Sequence, residues 1–212
     1  MKLKIFEIFY SLQGETSRMG LPTVFVRLTG CPMRCTYCDT AYAFSGGHNM
    51  LLEEIMLKVA HYDTPYVTVT GGEPLAQKAC LDLLKMLCDA GYKVSLETGG
   101  GLPIQAVDQR VSIILDIKTP ASHEEKNNLW ENLDYIKPQD EIKLVICDRM
   151  DYEWAVGQLR NFKLNEKCPV LFSPSYGTLK PEMLAAWVLE DQLPVRMQLQ
   201  MHKILWGEKQ GV

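Results

Sequence analysis

The chain has 212 residues, 47% of them hydrophobic and 23% charged, with a formal net charge of −4 at pH 7. That length supports a sizeable core, and we read it as a single domain over residues 1–212. The negative balance offers no basic footprint for DNA or RNA and no apolar run is long enough for a membrane span. The cysteine count, seven and odd, argues against a disulfide framework.

MKLKIFEIFYSLQGE (1–15) alternates apolar and polar residues and lacks the small-residue cleavage site of a signal peptide. Reduced thiols and a cytoplasmic location are therefore expected. TVFVRL (23–28) is the first strand counted, and the cysteine-bearing GCPMRCTYCDT (30–40) follows it. Residues 51–62 have helical spacing, 66–70 read as a strand, and 74–91 as a helix with Pro74 in its first turn and Gly91 as its stop. KVSLE (93–97) and VSIILDI (111–117) are strands, with a weaker helix in 123–134. IKLVI (142–146), a helix over 151–162, PVLFS (169–173), a helix near 181–191 and VRMQLQM (195–201) complete the order.

Strands alternating with helices predict βαβ units and a mostly parallel sheet. Counting from TVFVRL there are about seven strands, too few for a closed eight-stranded barrel. A partial, open βα barrel is the expected α/β fold, with a doubly wound sheet as the alternative. Chemistry-bearing residues then fall at one edge. The cysteine loop, TGGEP (70–74), Glu97 with Thr98 and three glycines, Asp116 with Lys118, SPSYG (173–177), and Gln200 with His202 all stand at strand ends.

Cys31, Cys35 and Cys38 lie within eight residues. A structural zinc site would need a fourth ligand, from His48 or the distant Cys80. A redox C-x-x-C pair would leave Cys31 unexplained. An iron–sulfur cluster accepts tightly spaced thiolates, and three on a four-iron cube leave one iron open as a binding site. TGGEP has two glycines that let backbone approach a ligand where a Cβ would collide, though a plain strand-to-helix turn would read the same way.

C-x-x-x-C-x-x-C, with Tyr37 before the last cysteine, resembles the signature of the radical S-adenosylmethionine enzymes, whose usual fold is a full or partial βα barrel. The stretches EIFYSLQGET, GLPTVFVRLTGCPMRCTYCDT, VTGGEP, LETGG, LDIKTP, SPSYG and MQLQMHK narrow the resemblance, over nearly the whole chain, to the 7-carboxy-7-deazaguanine synthases of queuosine and 7-deazapurine biosynthesis. That family commonly reads QGEG where this chain has QGET (13–16), and many members read SPK where it has DIK (116–118), so only Lys118 matches there.

The resemblance implies a lyase with a [4Fe–4S] cluster on Cys31, Cys35 and Cys38, and Mg²⁺ on Thr40, a hard oxygen donor. It places Tyr37, Cys38, Asp39, Gly72, Glu97, Asp116, Ile117, Lys118, Ser173, Pro174, Ser175 and Tyr176 near S-adenosylmethionine. It places Leu12, Gln13, Gly14, Glu15, Arg27, Thr70 and His202 around the substrate. The implied reaction is ring contraction of 6-carboxy-5,6,7,8-tetrahydropterin with loss of ammonia, in a homodimer reduced by a flavodoxin-type protein. Taken alone, Arg27 could form a structural salt bridge, His202 and Glu97 could be ordinary residues, Thr40 could cap a turn, and Cys80 and Cys88 read as helix core.

Overall fold

The computed structural model describes all residues from Met1 to Val212. Its strands are β1 (Lys2–Leu12), β2 (Pro22–Leu28), β3 (His48–Leu51), β4 (Tyr66–Gly71), β5 (Lys93–Thr98), β6 (Ser112–Ile117), β7 (Glu141–Ile146), β8 (Val170–Pro174) and β9 (Arg196–Met197). They form one nine-stranded sheet in the order β3-β1-β2-β4-β5-β6-β7-β8-β9. From β2 to β9 every pairing is parallel, whereas β1 and β3 pair antiparallel at one edge. The two edge strands do not meet, so the sheet is an open, partial barrel, as expected. The helices are α1 (Leu52–Val59), α2 (Cys80–Asp89), α3 (Arg149–Asn161), α4 (Leu164–Lys167), α5 (Pro181–Glu190) and α6 (Met201–Trp206). None is long and apolar enough to cross a membrane.

Period-two alternation sorts the sheet into two faces. Val67 and Val69, Val94 and Leu96, Ile113, Leu115 and Ile117, Ile142, Leu144 and Ile146, and Val170 and Phe172 join a core cluster of 39 buried residues that includes Leu83, Leu87, Ala155 and Leu184 from the helices. Burying each such aliphatic side chain favours folding by roughly 1.5–3 kcal/mol, so this face carries the fold. The opposite face carries Thr68, Thr70, Ser95, Glu97, Asp116, Glu141, Lys143 and Ser173, which are polar and mostly buried. Polar side chains are costly to bury without partners, and here several of the partners come from one segment.

Residues 13–18, after β1, supply them. Gln13 Nε2 donates to Thr68 Oγ1 at 3.2 Å, Lys143 pairs with Glu15, Ser17 Oγ donates to Glu141 at 2.6 Å, and Arg18 donates to the Lys93 carbonyl at 2.8 Å. The segment also reaches the chain beyond β9: Thr16 N–H donates to Gln198 Oε1, Gln198 Nε2 donates to the Thr16 carbonyl, and Met201 N–H donates to the Gly14 carbonyl. It thereby links the two ends of the open sheet.

Several expected elements differ. The alternation in residues 2–12 is a true strand, β1, and β3 was also absent from the sequence count. The helix expected over 74–91 is a 3-10 turn at Pro74–Ala76 followed by α2. Glu73 caps the turn through the Leu75 N–H, and Gln77 is pinned by hydrogen bonds to the Lys4 backbone and the Thr29 carbonyl, which interrupts the helix. The weak helix in 123–134 resolves into short 3-10 turns. The last strand ends at Met197, because Gln198 is drawn to Thr16, so Gln200 caps α6 and His202 lies on it.

Candidate active site

The carboxyl ends of the parallel strands open into a cavity of about 580 Å³. Its lining includes Leu12, Gln13, Gly14, Glu15, Arg27, Cys31, Cys35, Tyr37, Cys38, Asp39, Thr40, Thr70, Gly72, Glu97, Asp116, Lys118, Ser175, Tyr176 and His202. The strand-end expectation thus brings these residues together. Three do not line it. Ile117 faces the helix-side core, because alternation places it one residue out of phase with Asp116. Ser173 is buried beneath the cavity, its hydroxyl without a protein partner, and Pro174 lines a neighbouring groove of about 260 Å³.

The cysteine loop is seated on backbone. Gly72 packs so closely under it that a Cβ there would collide with the Gly30 carbonyl and touch the Cys31 side chain. Glu73 is fully buried and accepts from Thr98 Oγ1, the Leu75 N–H and the Gly99 N–H, tying the TGGEP turn to the next strand end. Burial pushes its carboxyl above the usual range. On the other flank Thr36 donates from N–H to the Ser122 carbonyl and from Oγ1 to Ala121, and Arg34 N–H donates to Glu124. That turn is anchored by Asp151, which accepts from Thr119 Oγ1, Ala121 N–H and Cys147 N–H at 2.9–3.0 Å.

The donor set fits an iron–sulfur cluster. The three sulfurs line one wall without converging on a single point. A cluster takes one thiolate per iron, whereas a zinc site needs four donors at one centre. Neither zinc candidate helps, since His48 is exposed on the edge strand β3 and Cys80 is buried in α2. Burial raises the thiols of Cys31 and Cys35, the latter to about 11, so ligation has to displace their protons. Thr40 occupies the cap position of the 41–44 turn but makes no capping bond, which leaves its hydroxyl available for Mg²⁺, 3.8 Å from Cys38 Sγ. Beside the loop, two buried atoms have no protein partner, Tyr37 Oη and Asp116 Oδ1. Lys118 Nζ pairs with Asp116 at 2.9 Å and lies 5.9 Å from the Tyr37 ring centre. Burial opposes its charge, but Asp116 raises its pKa above the usual lysine value.

The opposite wall holds Glu15 between two donors, Lys143 Nζ and Gln200 Nε2, the latter at 2.8 Å. Burial alone would raise Glu15, but the Lys143 ammonium pulls it below the ordinary carboxylate range. Glu97 is different: burial, with the Glu15 charge nearby, raises it, and it accepts from Thr70 Oγ1 at 2.9 Å and Gln13 Nε2 at 3.3 Å. His202 packs against Gly14, and burial lowers its pKa, favouring the neutral imidazole. Thr16 sits at φ +69°, in the left-handed region, so QGET keeps the backbone that glycine adopts freely. Lys143 and Asp151 were missed by the sequence reading. A lysine inside an all-apolar strand, IKLVI, was the available signal, since an ammonium is buried only against a partner.

A model of the radical SAM superfamily matches residues 25–118, from Phe25 through the cysteine loop to Lys118. With the open βα barrel, this defines a radical S-adenosylmethionine enzyme, the class that carries a [4Fe–4S] cluster and S-adenosylmethionine. The chain is 48% identical over 208 residues to the 7-carboxy-7-deazaguanine synthase of Chlorobaculum tepidum, covering 97% of this chain and 94% of that one. It is 45% identical to that of Koribacter versatilis, covering 99% and 100%. The chain belongs to the 7-carboxy-7-deazaguanine synthase family. Its fold is that of the crystal structure of QueE from Escherichia coli, with a TM-score of 0.79 at 21% identity over 95% of both chains.

Proposed function

We propose that the cavity binds 6-carboxy-5,6,7,8-tetrahydropterin and, with Mg²⁺, contracts its ring to 7-carboxy-7-deazaguanine with loss of ammonia. The observation that supports this most is the placement of Gln13, ionised Glu15, Arg27, Thr70 and His202 around one cavity shared with the cysteine loop. S-adenosylmethionine at the cluster would supply a 5′-deoxyadenosyl radical to take a hydrogen from the substrate. Arg27 presents guanidinium N–H groups to the substrate carboxylate. Glu15, kept ionised by Lys143, is an acceptor for a guanine-like edge, and Gln13, whose two Nε2 hydrogens are taken by Thr68 and Glu97, offers the second lone pair of its Oε1. Thr40 would contribute one oxygen to Mg²⁺, the substrate others. Neutral His202 keeps one ring nitrogen with a lone pair that can accept a hydrogen bond from a substrate N–H. Tyr37, Asp39, Gly72, Glu97, Asp116, Lys118, Ser175 and Tyr176 form the surroundings of S-adenosylmethionine.

The same reading takes the enzyme as a single-domain, cytoplasmic homodimer reduced by a flavodoxin-type protein. The test is anaerobic reconstitution to about four irons per chain, followed by turnover of the carboxy-pterin with and without Mg²⁺. A deazapurine product, formed faster with Mg²⁺, is expected. A loaded enzyme that cleaves S-adenosylmethionine but leaves the pterin unchanged would overturn the substrate.

A further inference from the structure

EIFYS precedes the QGET segment, and its glutamate has no part in the site as described so far. On β1, Leu3 and Ile5 face the helix-side core, and Ile8 packs against that same core three residues later. Strict alternation would put Ile8 on the other face. The reason is a shift in the β1–β2 register between Ile5 and Glu7: Ile5 pairs with Leu28, Glu7 with Arg27 and Ile8 with Val26. An extra residue in one strand of a pair reverses the facing of everything beyond it. Here it turns Glu7 and Phe9 onto the cavity face, beside Arg27 and Phe25. Without it, Phe6 and Ile8 would face the cavity instead.

Glu7 Oε1 accepts from Arg27 Nε at 2.8 Å and from Tyr42 Oη at 3.2 Å. The guanidinium carbon lies 5.6 Å from the Phe9 ring centre and 5.8 Å from that of Tyr42. Both members of the ion pair are largely shielded from solvent, with side-chain exposures of 13% for Arg27 and 21% for Glu7. Arg27 donates to protein through Nε alone, so its terminal nitrogens keep their N–H groups for a ligand. A guanidinium held at Nε and walled by two rings has one edge left, and that edge matches a carboxylate in two parallel hydrogen bonds. The pair as a whole is neutral, so this edge recognises an anion by directed hydrogen bonds more than by net charge.

We propose that Glu7 is a positioning residue: delivered to the cavity face by the bulge in β1, it aims Arg27 and so sets the selectivity of the pocket for a carboxylate. The inference rests on the reading of Arg27 as the partner of the substrate carboxylate. The test titrates reconstituted holoenzyme, with S-adenosylmethionine bound, with unreactive 6-carboxypterin and with its 6-carboxamide. Glu7→Ala should weaken carboxylate binding by on the order of 10- to 100-fold, the size expected when charge-assisted hydrogen bonds to a ligand are lost, and leave carboxamide binding and iron content unchanged. Glu7→Gln, which keeps an oxygen for Nε, should restore most of the selectivity. Should Glu7→Ala fail to fold, Glu7→Met fills the same space without an acceptor and is read the same way. In an Arg27→Gln background the Glu7 substitution should add no further loss. Equal weakening of both ligands, or a full additional loss in that background, would overturn the role of Glu7. If Arg27→Gln itself keeps the carboxylate preference, the reading of Arg27 fails instead.

Discussion

On one side of the cavity the ligand-facing groups come from consecutive residues, Cys31 to Thr40, resting on the glycine-bearing turns after β4 and β5. On the other side they come from Gln13, Glu15, Arg27, Thr70, Glu97, Lys143 and His202, carried by separate elements and crosslinked to one another. The first wall is held by backbone contacts and close approach, the second by buried charge and hydrogen bonding. A wall of the first kind fails when an atom is added to it. A wall of the second kind fails when a partner is taken away.

The largest expected effect lies on the first wall. Cys35→Ala should abolish turnover and lower iron below the full complement after anaerobic reconstitution, measured by iron assay and electron paramagnetic resonance, because no fourth cysteine lines the cavity beside Cys31 and Cys38 to replace it. Gly72→Ala comes next. One methyl would drive the Gly30 carbonyl and Cys31 apart, and displacement of this size should reduce kcat by about 100-fold with a smaller loss of iron. An unimpaired Gly72→Ala enzyme would break the distinction between the walls.

On the second wall, Lys143→Met should destabilise the fold by roughly 3–5 kcal/mol, since it leaves Glu15 buried without its cation. Denaturant unfolding measures this, and its pH dependence gives the sign. Glu15 titrates below its ordinary value in the folded chain, so its contribution is present above the ordinary carboxylate pKa and is lost as pH falls through the folded one. The penalty of Lys143→Met should therefore shrink in acid. Glu97 runs the other way: its folded pKa is raised, so its contribution is present at low pH and fades as pH rises through that value. Glu97→Gln should gain stability relative to the wild type on going from pH 5 to pH 8. The smallest effect is Thr16→Gly, which relieves a left-handed threonine and should stabilise by about 0.5–1 kcal/mol, less the entropy of the added glycine.

Legibility followed the same division. The cysteine loop, TGGEP and Lys118 stand in local motifs, and local motifs survive as strings. Lys143 and Asp151 do not, since each is one polar residue in a strand or helix and acquires meaning from partners more than 25 positions away. The alternation of residues 2–12 was visible, yet its facing could not be read, because the bulge between Ile5 and Glu7 depends on pairing with β2. The end of β9 was misjudged for a similar reason: VRMQLQM has strand-like residues, but Gln198 has a stronger use as the double partner of the Thr16 backbone.

By itself the sequence determined the class of fold, the gathering of polar and glycine-rich segments at strand ends, the spacing of the three clustered cysteines and the segments that resemble one enzyme family. These depend on periodicity and short-range spacing, which the chain carries wherever it folds. Only the tertiary structure decided that residues 13–18 thread the inner face of the sheet, that Lys143 holds Glu15 ionised, that Ile117 belongs to the core, and that Glu7 meets Arg27. Those outcomes depend on register and burial, where a shift of one residue exchanges the faces and a charge is tolerated only against a partner brought from elsewhere in the chain.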